Sequence, residues 1–437
     1  MKREIMSELI DWKNNKNKKP LILEGARQVG KTYILKEFGK QNYENLIYVN
    51  CENPPEELSK LFLGSIDPKR ICTALEILYN ETITENTLIF FDEIQEIPRA
   101  LTSLKYFNED KNDYNIVASG SLIGLFLHQG TSFPVGQVER LKLKPLNFKE
   151  FLIATDNNKL LEYLQDNIER TPTFSEILYD KFNEYIAIGG MPEAVKTWIE
   201  TNDIESVEKI HNYILSNYLN DFSKHTDATT TIRIRQVWDG LVPQFAKNNN
   251  KFLYGTIRQG ARAREYEMAI QWLIDSGVVQ KVSRVSRGDK IPLMAYQDFS
   301  AFKLYFLDVG LFRTLANIPT SLIMNKNNIF SEFNGLLVEQ FVLQELSDNY
   351  LFYWTSRATS EVDFVTQLCG SIVPIEVKSG ENLKAKSLKI YREKYNPVFS
   401  IRISLKNLEY NNGLLNIPLY MTPLFNEIIA KYYPKKS

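Results

Sequence analysis

Eight residues near the start of the chain, GARQVGKT (25–32), hold two glycines, a lysine and a threonine at the spacing G-x-x-x-x-G-K-[ST]. They follow an apolar run, LILE, and lead into KTYILKEFGK, which has a helical pattern, so the motif reads as strand, loop, helix. That is the context in which the spacing has chemical meaning. Glycines let backbone amides turn inward around a phosphate, and the start of a helix adds positive potential there. Lys31 reaches the β- and γ-phosphates of a nucleotide, and Thr32 offers a hydroxyl to Mg²⁺. The candidate nucleotide contacts are Gly25, Ala26, Arg27, Gln28, Val29, Gly30, Lys31, Thr32 and Tyr33. LIFFDE (88–93) supplies the needed partner, an apolar strand ending in two acids. Asp92 is placed to share the Mg²⁺ with Thr32, and Glu93 to activate a water against the γ-phosphate. In NIVASGS (115–121), Ser119 and Ser121 lie at a strand end, where a hydroxyl senses the γ-phosphate or merely closes a turn.

A second constellation lies far downstream, in EVDFVTQLCGSIVPIEVKSG (361–380). Asp363, twelve intervening residues, then Glu376-x-Lys378 is the pattern of PD-(D/E)xK nuclease-like folds. Phosphodiester hydrolysis calls for a hard cation, and hard cations take carboxylate oxygens. Asp363 and Glu376 on neighbouring strands are candidate ligands for a second Mg²⁺, with Glu339 from the preceding helical run GLLVEQFVLQEL as a third. Lys378 projects from the same strand face as Glu376 and is placed to hold the attacking water or to stabilise charge on the phosphate. The same residues also suit a solvated salt-bridge cluster.

The elements that must position these groups divide the 437 residues into four stretches. Residues 1–150 alternate short apolar runs with helical patterns and read as a parallel-sheet P-loop domain. An extra strand, LIYVN (46–50), between the two phosphate-site motifs points to the ATP-hydrolysing branch of P-loop proteins. Residues 151–245 are helical in pattern and are expected to form a lid. Residues 246–325 run helix, turn, amphipathic helix, then hairpin, the order of a winged helix. Residues 326–437 open with a helix and continue through strands. The expected fold is thus α/β and multidomain: a P-loop parallel-sheet ATPase domain, a helical lid plus winged helix, and a C-terminal restriction-endonuclease-like α/β domain.

A formal net charge of −1 excludes nucleic-acid affinity from whole-chain electrostatics, so any basic footprint is local. Residues 251–290 provide one, with eight Lys/Arg against four Asp/Glu. Arg262, Arg264, Arg284 and Arg287 are the candidate contacts to DNA or RNA, a solvated face or a protein contact being the alternative. Cys51, Cys72 and Cys369 show no metal-ligand spacing and are expected to be small core residues, which fits a reducing cytoplasm. His128, His211 and His225 show no ligand spacing either. No apolar run approaches 18 residues, so no membrane span is expected.

GARQVGKT, YVNCENP, LIFFDEIQ, SGSL and VERLKLKPLNFKEFL resemble the bacterial and archaeal AAA-type ATPases that carry a C-terminal domain of unknown function, number 4143. The resemblance continues through YIAIGGMPEAV, YLNDFSK, FKLYFLDVGL and IEVKSG, nearly the whole chain. It implies ATP and Mg²⁺ as cofactors. Where that family has Gly-Arg before the VERLKL run, this chain has Gly136-Gln137. An arginine finger acting on a neighbour's nucleotide has therefore moved, with Arg140 as the candidate, or is lost; a homo-oligomer stays open on that ground. The functional expectation is ATP hydrolysis coupled to action on nucleic acid. The alternative is an ATP-dependent switch that docks a partner without cutting anything.

Overall fold

The computed structural model describes residues 1–110, 114–121, 134–168, 173–224, 226–245, 251–324, 332–356, 360–380 and 386–433. The chain forms two compact units. One comprises residues 1–144 with 275–278, the other residues 145–274 with 279–437.

The first unit is built on five parallel strands: β1 (Leu21–Glu24), β2 (Asn45–Asn50), β3 (Thr87–Asp92), β4 (Asn115–Gly120) and β5 (Glu139–Lys142), in the order β2-β3-β4-β1-β5. β3 and β4 are buried at every position, as strands covered on both faces must be. Ile22, Ile47, Val49, Ile89, Phe91, Ile116 and Ala118 form the core with apolar faces of the helices Glu56–Leu63, Pro68–Tyr79 and Pro98–Glu109. Asp67 starts the second of these helices by accepting from the Arg70 amide, with Pro68 at the first helical position. The expected extra strand is present, and β4 lies between β1 and β3. The register aligns Leu23 with Ser119 and Phe91 with Ala118. The carboxyl ends of β1, β3 and β4 therefore open on one edge of the sheet, where ligands of α/β folds sit.

The second unit carries one mixed eight-stranded sheet. Its strands are β6 (Val279–Val285), β7 (Gln297–Phe306), β8 (Phe352–Thr355), β9 (Glu361–Leu368), β10 (Ser371–Val377), β11 (Ser400–Ser404), β12 (Glu409–Asn411) and β13 (Leu414–Pro418), ordered β12-β13-β11-β10-β9-β8-β6-β7. The structure here departs from the four-stretch division. The β6–β7 hairpin, expected to be the wing of a separate domain, pairs through β6 with β8 in parallel, Arg284 opposite Tyr353. A hairpin with a free edge gains hydrogen bonds by such pairing, here over residues 283–285 against 352–354, and the sequence between them carries no sign of it.

The helical stretch joins the same unit. Phe148, Phe182 and Tyr185 pack against Phe341 of the helix Glu332–Leu346, with ring centroids 6.3, 4.9 and 5.9 Å away. Gln344 on that helix donates to the Tyr185 hydroxyl at 2.7 Å. A tight crossing fixes the join. Gly190 N donates to Asp308 at 2.7 Å, Leu146 N donates to Gly190 O at 2.7 Å, and a Cβ on Gly190 would lie 2.0 Å from the Leu146 carbonyl oxygen. Only glycine fits there. His211 is buried nearby, between Thr314 Oγ1 at 2.8 Å and the Ile188 carbonyl at 2.9 Å. His128 and His225 lie outside the described residues. Cys51 and Cys72 are buried as expected, but Cys369 is exposed, in the turn between β9 and β10.

Candidate nucleotide site and a buried acid–lysine cluster

The loop 25–30 leaves β1 and passes directly into the helix Lys31–Asn42, with Gly30 as its N-cap in the left-handed region (φ 96°). Lys31 is 4% exposed and its Nζ donates three hydrogen bonds: to the carbonyls of Gly25 (3.0 Å) and Ala26 (2.9 Å), and to Ser121 Oγ (2.8 Å). Burial lowers its pKa to about 8, against the opposing pull of Glu93 and Asp92. Thr32 Oγ1 lies 3.0 Å from each oxygen of Asp92, and Tyr48 OH donates to Asp92 Oδ2 at 2.8 Å. Ser119 donates to Asp92 and accepts from the Glu93 amide.

Glu93 stands in the left-handed region (φ 49°) just past the strand end, which turns its carboxylate away from the line of β3. Ser121 Oγ donates to it at 2.8 Å and Gln95 Nε2 at 2.6 Å. Burial pushes the Glu93 pKa up, but Lys31, the two hydrogen bonds and Arg27 together hold it below the ordinary value. Glu93 is thus an ionised base at neutral pH. Ser121 touches both the lysine and the glutamate and links them into one chain. Of the groups here, Tyr48 and Gln95 were missed by sequence reasoning. A tyrosine in an alternating strand and a glutamine two residues past the acid pair carry no local signal. Tyr33 is 55% exposed, on the outer side of the helix start.

A hydroxyl and a carboxylate at the end of a buried strand are hard oxygen donors, so Thr32 and Asp92 fit Mg²⁺. Arg140 makes a bidentate ion pair with Glu24 on the adjacent strand β1, the Nη2–Oε2 distance being 2.7 Å. Arg140 is exposed, so this pair is a surface contact.

In the second unit, Asp363 on β9 and Glu376 on β10 do converge. The antiparallel register places Ile375 opposite Phe364, so the next pair is Glu376 and Asp363. Lys378 Nζ sits 2.7 Å from Glu376 Oε1, and the Val377 amide donates to Asp363 Oδ2 at 2.7 Å. A lysine the sequence reading overlooked completes the group. Lys303 on β7, 0% exposed, bridges Glu339 at 2.9 Å and Glu361 at 2.6 Å, and Tyr305 OH also donates to Glu339. Desolvation works against the Lys303 charge, but Glu339, Tyr305, Glu361 and Asp363 outweigh it and raise its pKa well above the usual value. Asp363 is pushed well above the carboxylate range by loss of water and by Glu376 and Glu339; Glu376 is raised by burial.

The expected second Mg²⁺ would rest on Glu339, Asp363 and Glu376, of which Asp363 and Glu376 lie side by side and Glu339 is held by Lys303. Among the described residues, no three His, Cys, Asp or Glu side chains are grouped to hold a metal ion. Lys303 pairs with Glu339 and Glu361 and Lys378 with Glu376, while Glu376 Oε2 and Glu361 Oε2 stay buried without a hydrogen-bond partner.

The basic stripe is also less bare than its composition suggests. Arg284 is ion-paired with Asp298, and Arg287 with Asp289 at 2.8 Å. Arg262 and Arg264 are exposed, and the neighbouring Arg258 pairs with Glu265 at 3.5 Å.

These features agree with comparison to known families. Residues 17–152 match the family model of an AAA domain, residues 179–322 a domain of unknown function numbered 8612, and residues 334–421 the domain of unknown function numbered 4143. The chain carries an AAA domain with a P-loop and a C-terminal 4143-type domain. It is similar to an uncharacterized protein of Methanocaldococcus jannaschii, 24% identical over 404 residues, which are 90% of this chain and 82% of that one. Among solved structures it is similar to a Walker-type ATPase of Pyrococcus abyssi, with 14% identity, a TM-score of 0.45, and coverage of 72% of this chain and 95% of that chain. It is also similar to the Aeropyrum pernix ORC1 protein in complex with DNA, with 13% identity, a TM-score of 0.30, and coverage of 74% and 93%. Among the described residues no helix is long and apolar enough to cross a membrane.

Proposed function

We propose that the protein is an Mg²⁺-dependent ATPase whose nucleotide state switches the binding of a partner. The observation that carries hydrolysis, beyond mere binding, is the chain Lys31–Ser121–Glu93: a phosphate-seeking cation and an ionised base share one hydroxyl. ATP phosphates would lie along Gly25–Thr32. Lys31 exchanges its two carbonyl partners for phosphate oxygens, which are stronger acceptors. Thr32 and Asp92 would hold Mg²⁺, which supplies charge neutralisation on the phosphates when bound. Glu93 takes the proton of the attacking water, and Ser121 keeps its carboxylate aimed.

A reading in which the C-terminal domain cuts DNA or RNA draws support from the meeting of Asp363, Glu376 and Lys378. The buried Lys303 between Glu339 and Glu361 favours the switch instead, because it fills the acid cluster with charge of its own. Arg262 and Arg264 are the contacts through which a nucleic-acid partner would be engaged.

The test is ATP turnover with Mg²⁺ for the natural chain, Lys31→Ala and Glu93→Gln, run beside a cleavage assay on single-strand, duplex and forked DNA and on RNA. Turnover lost in both variants, with ATP still bound by Glu93→Gln, supports the ATPase. General-base catalysis is worth about 10²–10⁴-fold, and the Glu93→Gln loss belongs in that range. Turnover unchanged in Glu93→Gln refutes its role. Metal-dependent cleavage that disappears in Lys378→Ala overturns the preference for a switch.

A further inference from the structure

The C-terminal half of the second unit contains a cleft that neither the nucleotide site nor the acid cluster uses. It has a volume of about 530 Å³ and is lined by Leu388, Lys389, Arg392, Glu393, Arg402 and Leu414, with Asn396 at its side. One wall is the helix Lys386–Tyr395 and the other is formed by β11 and β13.

Two arginines there are fixed to the same hairpin. Arg402 on β11 donates through Nε to Asn416 Oδ1 at 2.7 Å. Arg392 donates through Nη2 to the Asn412 carbonyl. Asn412 and Gly413 are the two loop residues between β12 and β13, at φ 48° and 73°. That is the signature of a type I′ turn, whose twist matches that of the flanking strands. Asn416 is itself 2% exposed and held by the carbonyls of Lys406 and Asn407, each at 2.9 Å. Each guanidinium is therefore anchored through one edge.

A guanidinium has five N–H donors, and each anchor occupies only one nitrogen. Among the described residues neither arginine forms an ion pair with a carboxylate. Both Nη groups of Arg402 and the Nε and Nη1 of Arg392 remain for the cleft. Arg402 is half-buried, and loss of water lowers its pKa, with Glu409 opposing. Glu409 supplies charge near Arg402 but forms no ion pair with it, so the guanidinium's free N–H donors are open to the oxygens of an anion in the cleft. Lys389, Arg392 and Arg402 stand against Glu393, which pairs with Lys389 at 3.7 Å, and Glu409, whose charge acts on Arg402; one net positive charge remains. A phosphate monoester carries close to two negative charges at neutral pH, and its oxygens match the forked donors of arginine.

We infer that the Arg392–Arg402 cleft binds a phosphate monoester dianion, either a small free phosphate compound or the terminal phosphate of a nucleic-acid strand. Arg402 and Arg392 grip its oxygens, Lys389 adds charge, and Leu388 and Leu414 form the apolar floor. Glu393 opposes binding and sets a ceiling on affinity.

The experiment uses the full chain with Lys31→Ala, which removes the lysine's phosphate contact in the P-loop; the Arg392 and Arg402 variants then assign any remaining binding to this cleft. Isothermal titration is run with inorganic phosphate, with a 5′-phosphorylated thymidine dinucleotide, and with the same dinucleotide lacking its 5′ phosphate. We expect one site per chain for at least one of the first two, and binding at least tenfold weaker for the third. Tighter binding of the 5′-phosphorylated dinucleotide than of inorganic phosphate assigns the site to strand ends; the reverse assigns it to small phosphates. Arg392→Ala and Arg402→Gln each weaken binding at least tenfold. Glu393→Gln, on the exposed side of the helix, tightens it several-fold and guards against misreading a folding defect in Arg402→Gln. No binding of either phosphate, or an affinity indifferent to both Arg392→Ala and Glu393→Gln, overturns the inference. So does measurable and equal binding of the dinucleotide with and without its 5′ phosphate.

Discussion

Replacing Lys303 with methionine tests the electrostatic account of the acid cluster directly. The side chain is 0% exposed and holds two carboxylates, Glu339 at 2.9 Å and Glu361 at 2.6 Å. Methionine keeps the length and flexibility of the lysine stem, so the change removes charge with little change in packing. Breaking a buried ion pair by deleting one partner costs about 3–5 kcal/mol, because the other partner is left charged and uncompensated. In a unit of this size each kcal/mol moves the melting temperature by about 2–4 °C, so a fall of about 6–20 °C is expected at pH 8. The loss is pH-dependent with a definite sign. Asp363, Glu361 and Glu376 already have raised pKa values, through burial first of all. Their charged forms are the destabilising ones once Lys303 is gone. As the pH drops the acids take up protons, the repulsion fades, and the gap from the natural chain narrows. Melting followed by circular dichroism from pH 5 to pH 9 reads this out, and Lys303→Met with Glu339→Gln should recover part of the loss. A melting temperature within about 2 °C of the natural chain at pH 8, or a gap that does not change with pH, would refute the reasoning.

Three further outcomes are expected. Lys31 has a pKa of about 8, and phosphate binding needs its charged form. ATP affinity should therefore be level below pH 8 and weaken by up to about tenfold per unit above it, while Lys31→Arg stays flat; calorimetric titration from pH 7 to 9.5 checks this. Ser121→Ala removes the hydroxyl that aims Glu93. Loss of one such hydrogen bond, about 1 kcal/mol, should lower kcat by about fivefold or more while the ATP dissociation constant changes less. Gly190→Ala drives a Cβ to 2.0 Å from a backbone oxygen, a clash that no rotamer change relieves. It should cost at least about 3 kcal/mol, from overpacking together with lost hydrogen bonds, and show as poor folding or a sharply lowered melting temperature.

The candidate nucleotide site was visible because its parts are local. Eight contiguous residues carry the loop, and Asp92-Glu93 mark a strand end that any reading of apolar runs finds. Ser121 was visible as a strand-end hydroxyl, but its role as the link between Lys31 and Glu93 depends on β4 lying between β1 and β3. Lys303 was hidden for a different reason. A lysine within FKLYF looks like a polar position on a half-buried strand, and its partners are 36 and 58 positions further on, Glu339 and Glu361. Only the folded sheet brings those charges together. The division into four stretches misplaced the β6–β7 hairpin for a related reason. Pairing between β6 and β8 is a long-range register choice, and alternation of residue types gives the face of a strand and not the identity of its neighbour.

The unbroken sheet of the second unit has a practical consequence for dissecting this protein. A fragment starting at residue 326, the natural choice for isolating the C-terminal domain, would lose β6 and β7 and leave β8 with a bare row of amides and carbonyls. Phe352 and Trp354 on that strand are buried in the whole chain and would meet solvent beside an open edge. Such an edge recruits other chains, so inclusion bodies or stray oligomers from that fragment would report on the cut and not on the biology. Functional mapping of this half of the molecule belongs to point substitutions in the whole chain.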